Sequence, residues 1–261
     1  MKIEILFYVI SIDREVVISE VNQLKDWKHT RTLILSYRII FGLLVWITLI
    51  LMFVKSAMSK ADALTGFIAG ISSYRYYTMQ TNLFAAIWFT LAIIFHWKPD
   101  KLNKIKGVLR GAITIYITIT FVVFAIVLSS MYQPDNPFDI YTNIAIHYVI
   151  PMAFLIDWMF TEKTVNYKWL NLVFWTIYPI LYLILTIVHG KLTSDYLYPF
   201  LDIDEMGIGK YILAVVILLA GFLLFGSLLI VLNRLWNKRI NLEILEDSTE
   251  NDLVIEEVDQ S

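Results

Sequence analysis

The stretch YILAVVILLAGFLLFGSLLIVL, Tyr211 to Leu232, runs for 22 residues without a charged side chain. An α-helix rises about 1.5 Å per residue, so about 20 apolar residues cross a hydrocarbon core of about 30 Å. The stretch therefore reads as a membrane-spanning helix. Five more pass the same test towards the N-terminus: Trp169 to His189, Ile144 to Phe160, Gly107 to Met131, Tyr77 to His96 and Leu33 to Val54. Pro151, Pro179 and Gly221 fall inside spans and are tolerated there, because neighbouring helices re-satisfy the backbone. Trp97, Trp169, Trp236 and Tyr132 sit near the ends, where aromatic belts form. The expected fold is all-α: a polytopic membrane bundle of six transmembrane helices.

Composition agrees. Of 261 residues, 58% are hydrophobic and only 17% charged, where a soluble domain carries about 25% charge. The deficit is concentrated in the long apolar blocks, and the mean hydropathy is +0.66. A net charge of −2 gives no reason to expect nucleic-acid binding. With no cysteine, a disulfide framework, a thiol nucleophile and a thiolate metal site are all excluded. Ile5 to Ile10 is too short to span and is followed by Asp13, Arg14 and Glu15, so it does not read as a signal peptide.

Lys and Arg close to the spans set the expected orientation. Twelve collect on one side: Lys25, Lys28, Arg31, Lys98, Lys101, Lys104, Lys106, Lys163, Lys168, Arg234, Lys238 and Arg239. Five fall on the other: Lys55, Lys60, Arg75, Lys191 and Lys210. The positive-inside rule then places both termini in the cytoplasm of a multi-pass cell-membrane protein. The expected organisation is a cytoplasmic N-terminal segment over 1–32, a transmembrane domain over 33–233 and a cytoplasmic tail over 234–261. That tail carries Glu243, Glu246, Asp247, Glu250, Asp252, Glu256, Glu257 and Asp259, a composition that favours disorder. No repeat of 20–50 residues is visible.

Polar groups inside a bilayer cost several kcal/mol when unpaired, which makes them functional candidates. Thr78, Thr81, Asn82 and Ala85 share one face of the second span. The stripe reads either as interhelical glue or as part of a site. His147 stands inside the fourth span, either as a hydrogen-bonded structural histidine or as a general base. Asp157 follows ten residues later, about 15 Å along the axis. It cannot touch the His147 ring and suits an ion pair, a protonated carboxyl or a structural contact. Spans two and four begin on the same side, which puts Thr78 and His147 at similar depth, as a nucleophile and its base require.

The fifth span leaves on that side through His189, followed by Asp195, Tyr198-Pro199-Phe200-Leu201-Asp202, Asp204 and Glu205. This is either an ordinary acidic loop or a lid over the Thr78/His147 level, with Asp202 or His189 orienting His147. A metal site from His147, His189 and Asp202 lacks any short ligand spacing, so neither metal nor cofactor is expected. The sequence contains no G-x-S-x-G elbow, H-E-x-x-H, P-loop or G-x-G-x-x-G.

Tyr77-Thr78 opening a helix, His147 followed by Pro151 and Asp157, and Tyr198-Pro199-Phe200-Leu201-Asp202 occur here in a characteristic order. The chain resembles the androgen-induced-gene family of six-span membrane proteins, to which the androgen-dependent TFPI-regulating protein belongs, and is most similar to its bacterial branch of integral membrane proteins. The likeness runs from about Tyr37 to Trp236. It implies a lipid hydrolase cleaving fatty acid esters with a membrane-embedded threonine and histidine, which fall on Thr78 and His147. The family's following acid falls on Asp157.

Two classes of function follow. In the first, Thr78 attacks an acyl carbonyl, His147 takes its proton, Asn82 or nearby backbone N–H groups stabilise the oxyanion, and Arg75 holds a substrate carboxylate. The partner is then a membrane lipid or fatty ester arriving laterally. In the second, a non-enzymatic transporter, lipid-binding protein or scaffold, the same stripes line a path or knit helices. The sequence leaves the oligomeric state open.

Overall fold

The computed structural model describes residues 29–98, 101–102, 108–162 and 165–239. Most of the expected N-terminal segment (1–32), and the acidic tail from residue 240 onwards, lie outside the described residues.

Six helices are long and apolar enough to cross a membrane. They are α1 (His29–Met58), α3 (Tyr77–Ile94), α4 (Val108–Leu128), α5 (Pro137–Thr161), α6 (Trp169–Thr193) and α7 (Ile208–Arg239). A shorter helix, α2 (Ala63–Ser72), links the first two. Among the described residues there is no strand. Large apolar side chains face outward along the bundle, such as Leu43 at 57%, Leu185 at 65% and Leu224 at 67% exposure. In water such a surface invites aggregation; against lipid it is the expected one, and the molecule is a multi-pass membrane protein.

Three boundaries differ from the hydropathy reading. α5 begins at Pro137, ahead of the expected Ile144, because Asn136 caps it by accepting from the Asp139 N–H at 2.9 Å. The proline at the first helical position needs no donor of its own. α6 runs to Thr193, beyond His189, and ends at Ser194 in the left-handed region at φ 55°. α2 is new, with Asp62 as its N-cap. Its ten residues fall well short of a span.

Two apolar clusters hold the bundle. Val45, Leu49, Trp88, Phe89, Ile150 and Phe154 join α1, α3 and α5. Tyr116, Trp158, Trp175, Phe222 and Ile230 join α4 to α5, α6 and α7. The approach of α6 to α4 depends on Gly111, where a Cβ would come within 2.3 Å of the Trp175 ring. Between the clusters, at one end of the bundle, lies a buried charge network. Asp157 pairs with Arg38 at 2.8 Å and with Arg110 at 2.7 Å, and Arg110 also reaches Glu162 at 2.9 Å. Thr161 Oγ adds contacts to both arginines. Of the alternatives for Asp157, the ion pair is the one observed. Two cations and two anions cancel, which is what makes their burial tolerable.

Two helices widen locally to a π-turn, α4 at Phe124–Leu128 and α5 at Ala145–Val149. Such turns break the regular hydrogen-bond ladder and are common at functional sites. Here the two meet: the His147 ring lies on the Phe124 ring, 3.6 Å between centroids and 11° from parallel.

Candidate functional site

The site is built around the N-terminus of α3. Regular bonding starts with the Gln80 N–H to the Tyr76 carbonyl at 3.2 Å, so the N–H groups of Tyr77, Thr78 and Met79 have no carbonyl partner within the helix. The Tyr77 N–H donates to two phenols, Tyr182 at 2.8 Å and Tyr198 at 3.0 Å. The Tyr198 hydroxyl also sits against the Thr78 backbone and side chain. Withdrawal from water pushes this phenol above its ordinary pKa, keeping a neutral hydroxyl beside Thr78.

Thr78 is 9% exposed. Its carbonyl accepts from Asn82 Nδ2 at 2.8 Å, and the same nitrogen donates to the Ile146 carbonyl in the α5 π-turn at 3.1 Å. Asn82 thus ties the two functional helices together. Both its amide hydrogens are committed, so the oxyanion donors left at this site are backbone N–H groups at the start of α3. Thr81 is likewise engaged, with Thr120 of α4 at 2.8 Å.

His147 points its Nδ1 at two acceptors, the Asn143 carbonyl at 3.1 Å and Asn143 Oδ1 at 2.8 Å. A ring nitrogen facing a carbonyl carries the proton, which makes Nε2 the lone-pair nitrogen. Among the described residues nothing is hydrogen-bonded to Nε2. Thr78 and His147 are not directly hydrogen-bonded, but they line one cavity of about 450 Å³ together with Asn143, Tyr198 and Pro199. A second, smaller cavity of about 80 Å³ adjoins it. Thr78, Phe124, Leu128 and Tyr198 line both. Apart from Thr78, Thr120 and three phenols, the lining of the smaller cavity is apolar, with Ile119, Val123, Leu183, Leu218 and Phe222. Thr78 therefore stands where a polar chamber meets an apolar slot.

The loop after α6 covers this junction. Tyr198 and Pro199 line the polar chamber, and Tyr198, Phe200 and Leu201 the slot. Its other polar residues do different work from that expected. Asp202 caps the turn Ile203–Met206, accepting from Asp204 and Glu205 N–H groups at 2.9 Å. His189 Nε2 lies 3.3 Å from the Arg75 guanidinium, and its Nδ1 lies 2.9 Å from the Asp195 carbonyl. Neither orients His147; Asn143 does. Arg75 is further held by Asp195 at 2.9 Å. Among the described residues no group of three His, Asp or Glu side chains is placed to hold a metal ion, and His147, His189 and Asp202 are not brought together.

The sequence reading passed over Asn143, although it stands four residues before His147, and it passed over Arg38 and Arg110. An arginine inside an apolar stretch is itself a signal, and both belong to the network around Asp157. Comparison with protein-family models, with curated proteins and with solved structures finds no match for this chain.

Proposed function

We propose that this chain is a membrane-embedded hydrolase of lipid esters, with Thr78 as nucleophile and His147 as general base. The observation that carries the reading is that Thr78 and an unengaged His147 Nε2 face one cavity, beside an apolar slot suited to an acyl chain. The resemblance to the androgen-induced-gene family points the same way.

In this mechanism the ester carbonyl carbon binds near Thr78 Oγ. As Oγ attacks, His147 Nε2 takes the hydroxyl proton. Negative charge builds on the carbonyl oxygen, where the free N–H groups and the positive end of α3 stabilise it. The carbon–oxygen bond to the alcohol breaks, and His147 returns its proton to the leaving alkoxide. Water then attacks the acyl-threonine, His147 removes its proton, and fatty acid leaves with Thr78 restored. Asn143 fixes the tautomer, and Asn82 holds α3 against the π-turn that carries His147. No metal or cofactor enters the scheme. In the topology we propose, both termini are cytoplasmic in the cell membrane and the site opens to the outer leaflet.

The test is hydrolysis of a fatty ester by purified protein beside Thr78→Ala and His147→Ala. The reading requires turnover in the parent and its loss in both variants. Equal activity in all three rejects it and leaves a non-enzymatic lipid-binding bundle.

A further inference from the structure

A third cavity, of about 760 Å³, continues from the Thr78/His147 chamber, sharing Met52, Ser56, Ser73, Tyr76, Tyr132 and Thr142 with it. Its charge is unusual for this end of the bundle. Lys55, Lys60, Arg75, Lys191 and Lys210 are the only Lys and Arg there, and the first three line this one cavity. Asp139, the only acid in the lining, pairs with Lys55. Arg75 is paired with Asp195, while Lys60 has no ion pair among the described residues. Hydroxyls of Ser59, Thr65 and Ser72 complete a polar wall.

One wall is α2, and α2 shows where the cavity opens. Its Leu64, Phe67, Ile68 and Ile71 are 69%, 56%, 53% and 54% exposed. Their spacing of three, four and seven residues puts them on one face, a pattern that lies in the membrane–water interface. The opposite side is locked to α1, where a Cβ on Gly70 would strike the Phe53 ring at 2.6 Å. The cationic cavity therefore has its mouth at the level of lipid head groups rather than in bulk water.

We propose that the ligand of this vestibule is the head group of an anionic glycerophospholipid. Three chambers in series match three parts of one such molecule. A phosphate with a hydroxylated substituent fills the vestibule, the glyceryl ester lies at Thr78, and an acyl chain enters the slot. A lone carboxylate would leave most of the vestibule empty. This inference rests on the reading of the Thr78 cavity as the seat of the ester carbonyl, and it names the lipid class that site takes.

Native mass spectrometry on the full chain, carried on the uncleavable Thr78→Ala background, tests it apart from turnover. The protein is released from micelles holding equal amounts of phosphatidylglycerol and diacylglycerol with the same acyl chains. Phosphatidylglycerol is retained in preference. Lys60→Gln lowers that preference roughly fivefold, the worth of one basic residue at a lipid surface, and Lys60→Arg keeps it. Inorganic phosphate at equal ionic strength to a chloride control displaces no more lipid than chloride does. Equal retention of the two lipids, indifference to Lys60→Gln, or selective displacement by phosphate would overturn the proposal. Preference for phosphatidylglycerol in a protein that cleaves no ester would remove the hydrolase reading alone.

Discussion

The two ends of the bundle treat buried polarity in opposite ways. At the Asp157 end, Arg38, Arg110, Asp157 and Glu162 neutralise one another within 3 Å contacts, sealed among helices α1, α4 and α5. At the Thr78 end, the polar groups surround hollow space: a histidine with one nitrogen tied and one free, a threonine at the mouth of a slot, and N–H groups without helical partners. Both arrangements are costly in a low-dielectric medium. The first is compensated internally and so stabilises one packing. The second is left partly uncompensated, which makes it reactive, and the lock at the far end keeps it in shape.

Substitutions can break this contrast, beginning with the largest effect. If the Thr78 end is chemical, His147→Ala and Thr78→Ala each lower turnover of a fatty ester by about 10²–10⁴-fold, the range of general-base catalysis. Unfolding midpoints stay near the parent's, which thermal denaturation in detergent checks. If the Asp157 end is a lock, Asp157→Ala leaves two arginines facing each other without their shared partner. It should cost about 3–5 kcal/mol, read as a large fall in the same midpoint. A triple replacement of Arg38, Arg110 and Asp157 by leucine-sized apolar residues recovers much of that loss, since a buried pair is replaceable by packing.

Finer changes sharpen the comparison. Asn143→Leu removes the acceptor side chain from His147 but leaves the backbone carbonyl. About one hydrogen bond is lost, so turnover falls about tenfold with little change in stability. Asp202→Ala removes an N-cap, worth about 1 kcal/mol. It should lower the midpoint slightly and leave turnover within twofold of the parent, roughly the limit of what a remote cap moves. A fall in turnover matching that of His147→Ala would restore Asp202 to the site.

How much of this was legible in the sequence follows from the range of each interaction. The six spans were, because hydropathy is averaged over some 20 neighbouring residues and needs no partner. The start of α5 was not, because Pro137 to Asn143 is too polar to score as membrane and is set by a cap. α2 was missed for the opposite reason, being apolar but only half a span long. Thr78 and His147 could be placed at one level from topology alone. The identity of the orienting group could not, because it depends on a π-turn that aims the ring back at Asn143. Asp157 was read as an ion-pair candidate, but its partners come from residues 119 and 47 positions away in sequence. No local pattern carries that pairing. Asn82 was legible as a polar residue on the inner face, while its bond to Ile146 belongs to packing between helices.

Because the chain has no cysteine, one introduced in place of Lys60 can report the side on which the site opens. Labelling by an impermeant maleimide from outside intact cells supports the proposed topology, and labelling only after lysis reverses it. The central claim, that Thr78 is a nucleophile activated by His147, is tested most directly by covalent trapping. Purified protein is treated with an alkyl fluorophosphonate and the modified residue located by peptide mass spectrometry. The account predicts a single adduct on Thr78 that disappears in His147→Ala. An unmodified Thr78 in well-folded parent protein, or an adduct formed equally without His147, would contradict it.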